Sequence, residues 1–134
     1  MADGDAESGE RLEIGDVISA LFPLHRPGGR EQEGYRPAVV VGLPELAGTP
    51  RFGVLIVAPM TTDRRQEWVE QSPELYPRYP SGTANLRLSS VCLLDQVRAL
   101  DVSRVRSYRG TLNAEEYEPI HNGLARVFGG HSYR

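Results

Sequence analysis

No lysine occurs in the 134 residues; all 15 basic side chains are arginine. That absence excludes a phosphate-binding loop of the type that ends in Lys-Ser or Lys-Thr. Cysteine is nearly as scarce, with Cys92 alone, so an internal disulfide framework is excluded and a reducing cytoplasm is the expected compartment. No apolar run approaches the ~20 residues that a membrane-spanning helix needs. The acidic start, with Asp3, Asp5 and Glu7, lacks the apolar segment of a secretory signal. His25, His121 and His131 share no ligand spacing with one another or with Cys92, so neither a metal nor another cofactor is expected. No Gly-x-Ser-x-Gly elbow is present either.

What is present fits one globular domain. A hydrophobic fraction of 40% against a charged fraction of 25% is the balance of a chain that buries a real core. The charge is uneven. Residues 1–13 hold five acids and one arginine; taking these from the 18 acids and 15 bases leaves 13 acids against 14 arginines in the rest. A near-neutral body is not the strong basic footprint of a duplex-binding protein. It is compatible with local binding of single-stranded nucleic acid, because arginine both pairs with phosphate and stacks on bases.

The expected organisation is a flexible acidic arm over 1–13, a single domain over 14–130 and a short tail over 131–134. Apolar runs predict strands at 17–22, 37–43, 52–60, 86–94 and 96–100. A further short strand is expected at Glu67–Gln71, within a proline-rich stretch that would otherwise be structureless for too long. The polar loop 23–35, with three glycines and two prolines, is long for a connection and reads as functional or mobile. Residues 102–106 suit one helical turn. Asn113 can cap a terminal helix that carries Glu115 and Glu116 in its first turn. Tyr117, Ile120, Leu124 and Val127 or Phe128 share a face of that helix and Gly129 is a natural stop. Pro119 should disturb its first turns. Short strands followed by one helix predict a mainly β fold with some α: a small, strongly curved antiparallel barrel with a C-terminal helix.

Two clusters carry chemistry. Arg30-Glu31-Gln32-Glu33-Gly34-Tyr35-Arg36-Pro37 joins the polar loop to a strand, and Pro59-Met60-Thr61-Thr62 ends another strand. Polar side chains at strand ends beside a loop form a common site geometry. Spacing alone leaves a plainer reading open: Arg36 as an ion-pair partner of Glu31 or Glu33, and Thr61 and Thr62 as turn residues. Trp68, Tyr76 and Tyr79 are candidates either for stacking bases or for packing.

Four segments in order resemble the MazF/PemK family of type II toxin–antitoxin toxins. They are Gly15-Asp16-Val17, the stretch Glu31 to Val40 around Glu-Gln-x-Gly-x-Arg-Pro, Pro59-Met60-Thr61-Thr62, and Leu94 to Asp101 around Asp95-Gln96-Val97-Arg98. The resemblance implies an SH3-like barrel of the CcdB/MazF/Kid type, a homodimer, and a metal-independent endoribonuclease held in check by a MazE-like antitoxin. It implies catalytic roles for Arg36, Thr61 and Glu31, and RNA contacts from Arg30, Gln32, Thr62, Asp95, Gln96 and Arg98. In the Kid-like branch an arginine stands two positions before the aspartate and a histidine precedes Glu-Gln. Here those positions are Leu93 and Arg30, so the Arg36/Thr61 pair is the better assignment than a set centred on Asp95. The alternative from another class is a non-catalytic, CcdB-like poison, or a degenerate module that only binds antitoxin, since fold does not fix function.

Overall fold

The computed structural model describes residues 11–23 and 34–130. The loop expected over 23–35 falls largely outside them, as do Arg30, Glu31 and Gln32, the acidic arm before residue 11 and the tail. Seven strands are present among the described residues: β1 (Asp16–Phe22), β2 (Gly34–Gly42), β3 (Val54–Thr62), β4 (Arg78–Tyr79), β5 (Ser90–Cys92), β6 (Arg98–Asp101) and β7 (Val105–Thr111). Two α-helices join them, α1 (Glu67–Gln71) and α2 (Ala114–Val127). The strands form one antiparallel sheet in the order β4-β5-β3-β2-β1-β7, with β6 also paired to β3. The sheet is curved around the core but is not closed, so the expected barrel is an open one. No described helix is long and apolar enough to cross a membrane.

The apolar runs are continuous because the central strands are covered on both faces. Successive side chains of a strand point to opposite sides. Val17, Val39, Ala58 and Met60 accordingly join Cys92, Leu94 and Ile120 in the core beneath α2. Ile18, Ala20, Ala38, Val40 and Val57 join Phe22, Leu55 and Leu100 on the other side. Helix α2 starts with a full capping box: Asn113 Oδ1 accepts from the Glu116 backbone N–H at 2.7 Å, and Glu116 Oε1 accepts from that of Asn113 at 2.9 Å. It ends at Gly129, whose φ of 73° only glycine adopts at little cost.

Several elements depart from expectation. Glu67–Gln71 is a single helical turn, not a strand. Five residues are too few to show a period. What decides is tertiary: Val69 is buried against Val91 and Leu93, with Tyr76 packed on them, and the Gln66 side chain holds the approach by accepting from the Arg64 N–H and donating to the Thr62 carbonyl. Only Ser90–Cys92 of the 86–94 run is a strand, and Leu94–Gln96 forms a 3-10 turn before β6. β2 begins at Gly34, three residues before Pro37. α2 runs unbroken through Pro119; the carbonyl left without its helical donor belongs to exposed Glu115, where water can serve. β7 was not foreseen at all.

Candidate active site

β3 pairs with β2 along one edge and with β6 and then β5 along the other, and a cleft opens where the β2 pairing ends. Up to Pro59 it lies beside β2, with Val39 opposite Ala58 and Ala38 opposite Pro59. From Met60 it lies beside β5, with Met60 opposite Cys92 and Thr61 opposite Val91. Proline has no N–H to give a ladder. Pro37 and Pro59 sit where β2 and β3 part, and on the edge toward β5 the Pro59 carbonyl accepts from Leu93 N–H at 2.9 Å. Continuing the β2–β3 register two residues beyond Ala38 and Pro59 sets Arg36 across from Thr61.

The opening is a cleft of about 320 Å³ with Arg36, Thr61 and Thr62 in its wall. Three sequence-predicted residues, about 25 positions apart in the chain, are thus brought together. Arg36, Thr61 and Thr62 are half-buried, so their polar groups are held by the strands while still open to a ligand. Ser19, Tyr35 and Ser90 add hydroxyls to the lining.

Two lining residues were missed by the sequence reading: Arg87 and Arg109. Their placement follows from a β-bulge. Val17 faces Gly110 and Ile18 faces Tyr108, so Arg109 is the extra residue with no partner on β1. A second register shift skips Arg106 between Ser107 and Val105, and the Arg106 guanidinium lies 4.4 Å from the centre of the Tyr35 ring. Bulges bend a strand and re-aim side chains, often beside sites. Leu86, Arg87 and Leu88 also line the cleft, and the turn 82–86 that leads into them rests on β7. Asn85 Nδ2 donates to the Arg109 carbonyl at 2.7 Å, and a Cβ at Gly110 would stand 2.7 Å from the Ala84 carbonyl oxygen. Only glycine allows that approach. The signal for these residues was the spacing Arg104-Val105-Arg106-Ser107-Tyr108-Arg109-Gly110, which the bulges hide by breaking the two-residue alternation.

The electrostatics of the lining are one-sided. It contains three arginines and, among the described residues, no carboxylate. The Nε–H of Arg109 is buried and meets no acceptor among the described residues, a state that costs about 1–3 kcal/mol. An arrangement of guanidinium forks and hydroxyls suits a phosphate or another compact anion. The larger hollows beside α2, of about 500 and 580 Å³, share Pro73, Glu74, Gly123 and Arg126; Glu115 and Glu118 add acidic groups to the second. They offer no comparable set of donors.

Asp95, Gln96 and Arg98 do not line the cleft. Asp95 Oδ2 accepts a 2.6 Å bond from the Tyr76 hydroxyl; burial first, then that bond and the carboxylate charge, push the Tyr76 pKa up to about 12. Arg98 lies with its guanidinium 5.5 Å from the Phe22 ring centre. Of the aromatic candidates, Trp68 is exposed and meets Tyr76 edge to face at 4.9 Å, while buried Tyr79 donates its hydroxyl to the Glu116 carbonyl at 2.6 Å. Cys92 is wholly buried, and burial raises its thiol pKa. That places it as a core residue rather than a nucleophile.

Comparison with known proteins identifies the fold and the family. Residues 13–128 match the family of PemK-like, MazF-like toxins of type II toxin–antitoxin systems. Among solved structures, MazF from Deinococcus radiodurans is similar with a TM-score of 0.67 and 24% identity, covering 88% of this chain and 96% of that one. An endoribonuclease from a mycobacterial species, solved with its cognate antitoxin, gives a TM-score of 0.64 at 15% identity over 92% of this chain and 100% of that one. A MazE–MazF complex from Deinococcus radiodurans gives 0.62 at 22% identity, covering 88% and 96%. These likenesses establish the fold. No curated protein matches in sequence. With the family match spanning nearly the whole described chain, the protein belongs to the PemK-like, MazF-like toxins of type II toxin–antitoxin systems.

Proposed function

We propose that this toxin is an endoribonuclease that cleaves single-stranded RNA at short sequence motifs, works as a cytoplasmic homodimer, and is neutralised by a MazE-like antitoxin. The observation that carries the reading is the meeting of Arg36 with Thr61 in a cleft lined by arginines and hydroxyls. Solved relatives that include an endoribonuclease bound to its antitoxin support it.

The chemistry needs little from the protein, because RNA brings its own nucleophile. The 2′-oxygen attacks the neighbouring phosphorus, an O–P bond forms, and the bond from phosphorus to the 5′-oxygen breaks. The proton leaves the 2′-hydroxyl for a base, and another proton reaches the departing 5′-oxygen. The products are a 2′,3′-cyclic phosphate and a 5′-hydroxyl. Charge gathers on the non-bridging oxygens as the phosphorane forms. Arg36 can stabilise it with a planar fork of donors, and the Thr61 hydroxyl can donate to the same group. A guanidinium with a pKa above ~12 is a poor base, so the role of Arg36 here is electrostatic. Glu31, outside the described residues, is the proposed proton acceptor.

The test is to incubate the purified protein with a long RNA in EDTA and to analyse the ends. Cleavage that persists, leaving cyclic phosphate and 5′-hydroxyl termini, is the expected result. Loss of cleavage in EDTA with recovery on adding magnesium or manganese would overturn the mechanism. Intact RNA under all conditions would favour a poison that acts by contact.

A further inference from the structure

The register of β7 points to more than one phosphate in the cleft. Arg36 and Thr61 account for the reacting phosphate, yet Arg109 and Arg87 line the same space from another direction. Arg109 comes from the bulge on β7 and Arg87 from the segment that follows the 82–86 turn. Both are fixed to one another through the backbone. The Asn85 amide holds the Arg109 carbonyl, and the Gly110–Ala84 approach leaves no room for the turn to shift. Ala84 and Asn85 adopt φ values of 47° and 62°, a left-handed conformation that non-glycine residues seldom take. Strain of that kind persists only where the surroundings over-determine it. Here its consequence is a rigid wall that carries a guanidinium on either side. The unmatched Nε–H of Arg109 is the feature that folding alone does not explain.

Resting on the reading of the cleft as a phosphodiester site, we propose that Arg109 and Arg87 bind a second phosphate of the substrate strand, adjacent to the one held by Arg36 and Thr61. The ligand class is a single-stranded oligonucleotide with at least two phosphates. Arg109 supplies the preorganised fork, and exposed Arg87 closes over the same phosphate from the solvent side. A small reorientation of the Arg109 side chain toward an arriving phosphate also relieves its buried donor. Arg109 and Arg87 are thus positioning residues: they set the register of the strand so that one 2′-hydroxyl lies beside the phosphate on Arg36.

Phosphate contacts have a signature that a packing role lacks. Each one lost lowers the slope of log K against log salt by about 0.7 for a single strand. The probe is a mixed-sequence 2′-O-methyl RNA oligonucleotide, which cannot be cleaved. With full-length protein, Arg109→Gln should weaken binding about 10-fold at low salt and reduce the slope by about 0.7. On cleavable RNA its KM should rise more than its kcat falls, and the defect should shrink on a substrate with a single phosphate. Arg109→Lys should recover the slope but not the full affinity. Arg87→Gln, on an exposed side chain, should act in the same direction and decides the matter if Arg109→Gln does not fold. Unchanged affinity and slope in Arg87→Gln, and in Arg109→Gln where it folds, would overturn the second phosphate site while cleavage by the wild type still stood. Conversely, a wild type that binds the probe with the expected slope but cuts nothing would leave this site in place and remove the cleavage reading.

Discussion

Two charged regions of this molecule handle arginine in opposite ways. At the corner where β3 ends and α1 begins, Arg78 is paired with two carboxylates. Its Nε and Nη2 reach the two oxygens of Asp63 at 2.9 and 3.2 Å, and Nη2 also meets Glu70 at 3.1 Å. The two acids hold the guanidinium in its charged form, Asp63 foremost, and the hydrogen bond from Arg78 is the main cause that lowers the Asp63 pKa. A few residues away, past Thr61 and Thr62, the cleft gathers Arg36, Arg87 and Arg109 with no carboxylate in its described lining. The first region ties β3 to β4 and α1 and asks for nothing from outside. In the second, the buried Arg109 Nε–H meets no acceptor among the described residues. Like charges brought together destabilise a fold, so their retention points to an anionic ligand. Both regions use the same residue type at the same strand end. The difference lies in the described surroundings: carboxylates meet the arginine in the first region, hydroxyls lie beside the arginines in the second.

The largest expected effect separates the regions by activity. Arg36→Ala should lower RNA cleavage by roughly 10²-fold or more, the scale of removing one preorganised donor from a developing oxyanion. Arg36→Lys should restore little, because an ammonium lacks the bidentate fork. Near wild-type cleavage by a folded Arg36→Ala protein would remove the cleft from the mechanism. A second, intermediate effect tests whether the wall must be rigid. In Gly110→Ala the new methyl would press on the Ala84 carbonyl. That overpacking should cost about 1–3 kcal/mol, read as a lower Tm, together with weaker RNA binding as Arg87 and Arg109 separate. A variant with lowered Tm but unchanged RNA affinity would show that the turn serves the fold only.

How much of this was legible in the sequence depends on the range of the contacts. The capping box of α2 involves Asn113 and Glu116, three residues apart, and such local signals survive in a single chain. The β2 and β3 runs were legible because burial on both faces leaves them apolar without interruption. Arg36 and Thr61 could be named as strand-end residues, and the resemblance to the family gave them roles. The cleft itself was not legible. Its shape arises where β3 loses β2 on one edge while keeping β5 on the other, and nothing in Pro59-Met60-Thr61 states that the β2 pairing ends there. α1 was read as a strand because the burial of Val69 against Val91 and Leu93 is settled by residues more than 20 positions away. β7 was missed because Val105 is the only aliphatic side chain in the strand and its two bulges erase the alternation. Those same bulges are what turn Arg109 and Arg106 to their positions, so the feature that hid the strand is the one that serves the site.

The smallest expected effect concerns pH and salt, which should sort the regions without any change to the active residues. The Asp63 carboxyl is held below its ordinary value of 3.8, first by the Arg78 side chain, then by the Arg65 backbone N–H, against a raising effect of burial. A depressed folded pKa means that the unfolded chain takes up the proton more readily. Asp63 therefore adds stability that is fully present above pH 3.8 and is lost as pH falls through the lower folded value. Asp63→Asn should lower Tm modestly at neutral pH, and the gap to wild type should close as the buffer is taken below that range. The pair is partly exposed, so the gap is expected to be small and to shrink further in high salt. The cleft should respond to salt through its grip on phosphate. Measuring Tm and oligonucleotide affinity across pH and ionic strength in the wild type and Asp63→Asn checks both halves. A Tm gap that stayed constant into acid would mean that Asp63 acts by packing and not by its charge. An RNA affinity that changed in Asp63→Asn as much as the Tm did would mean that the two regions work as one.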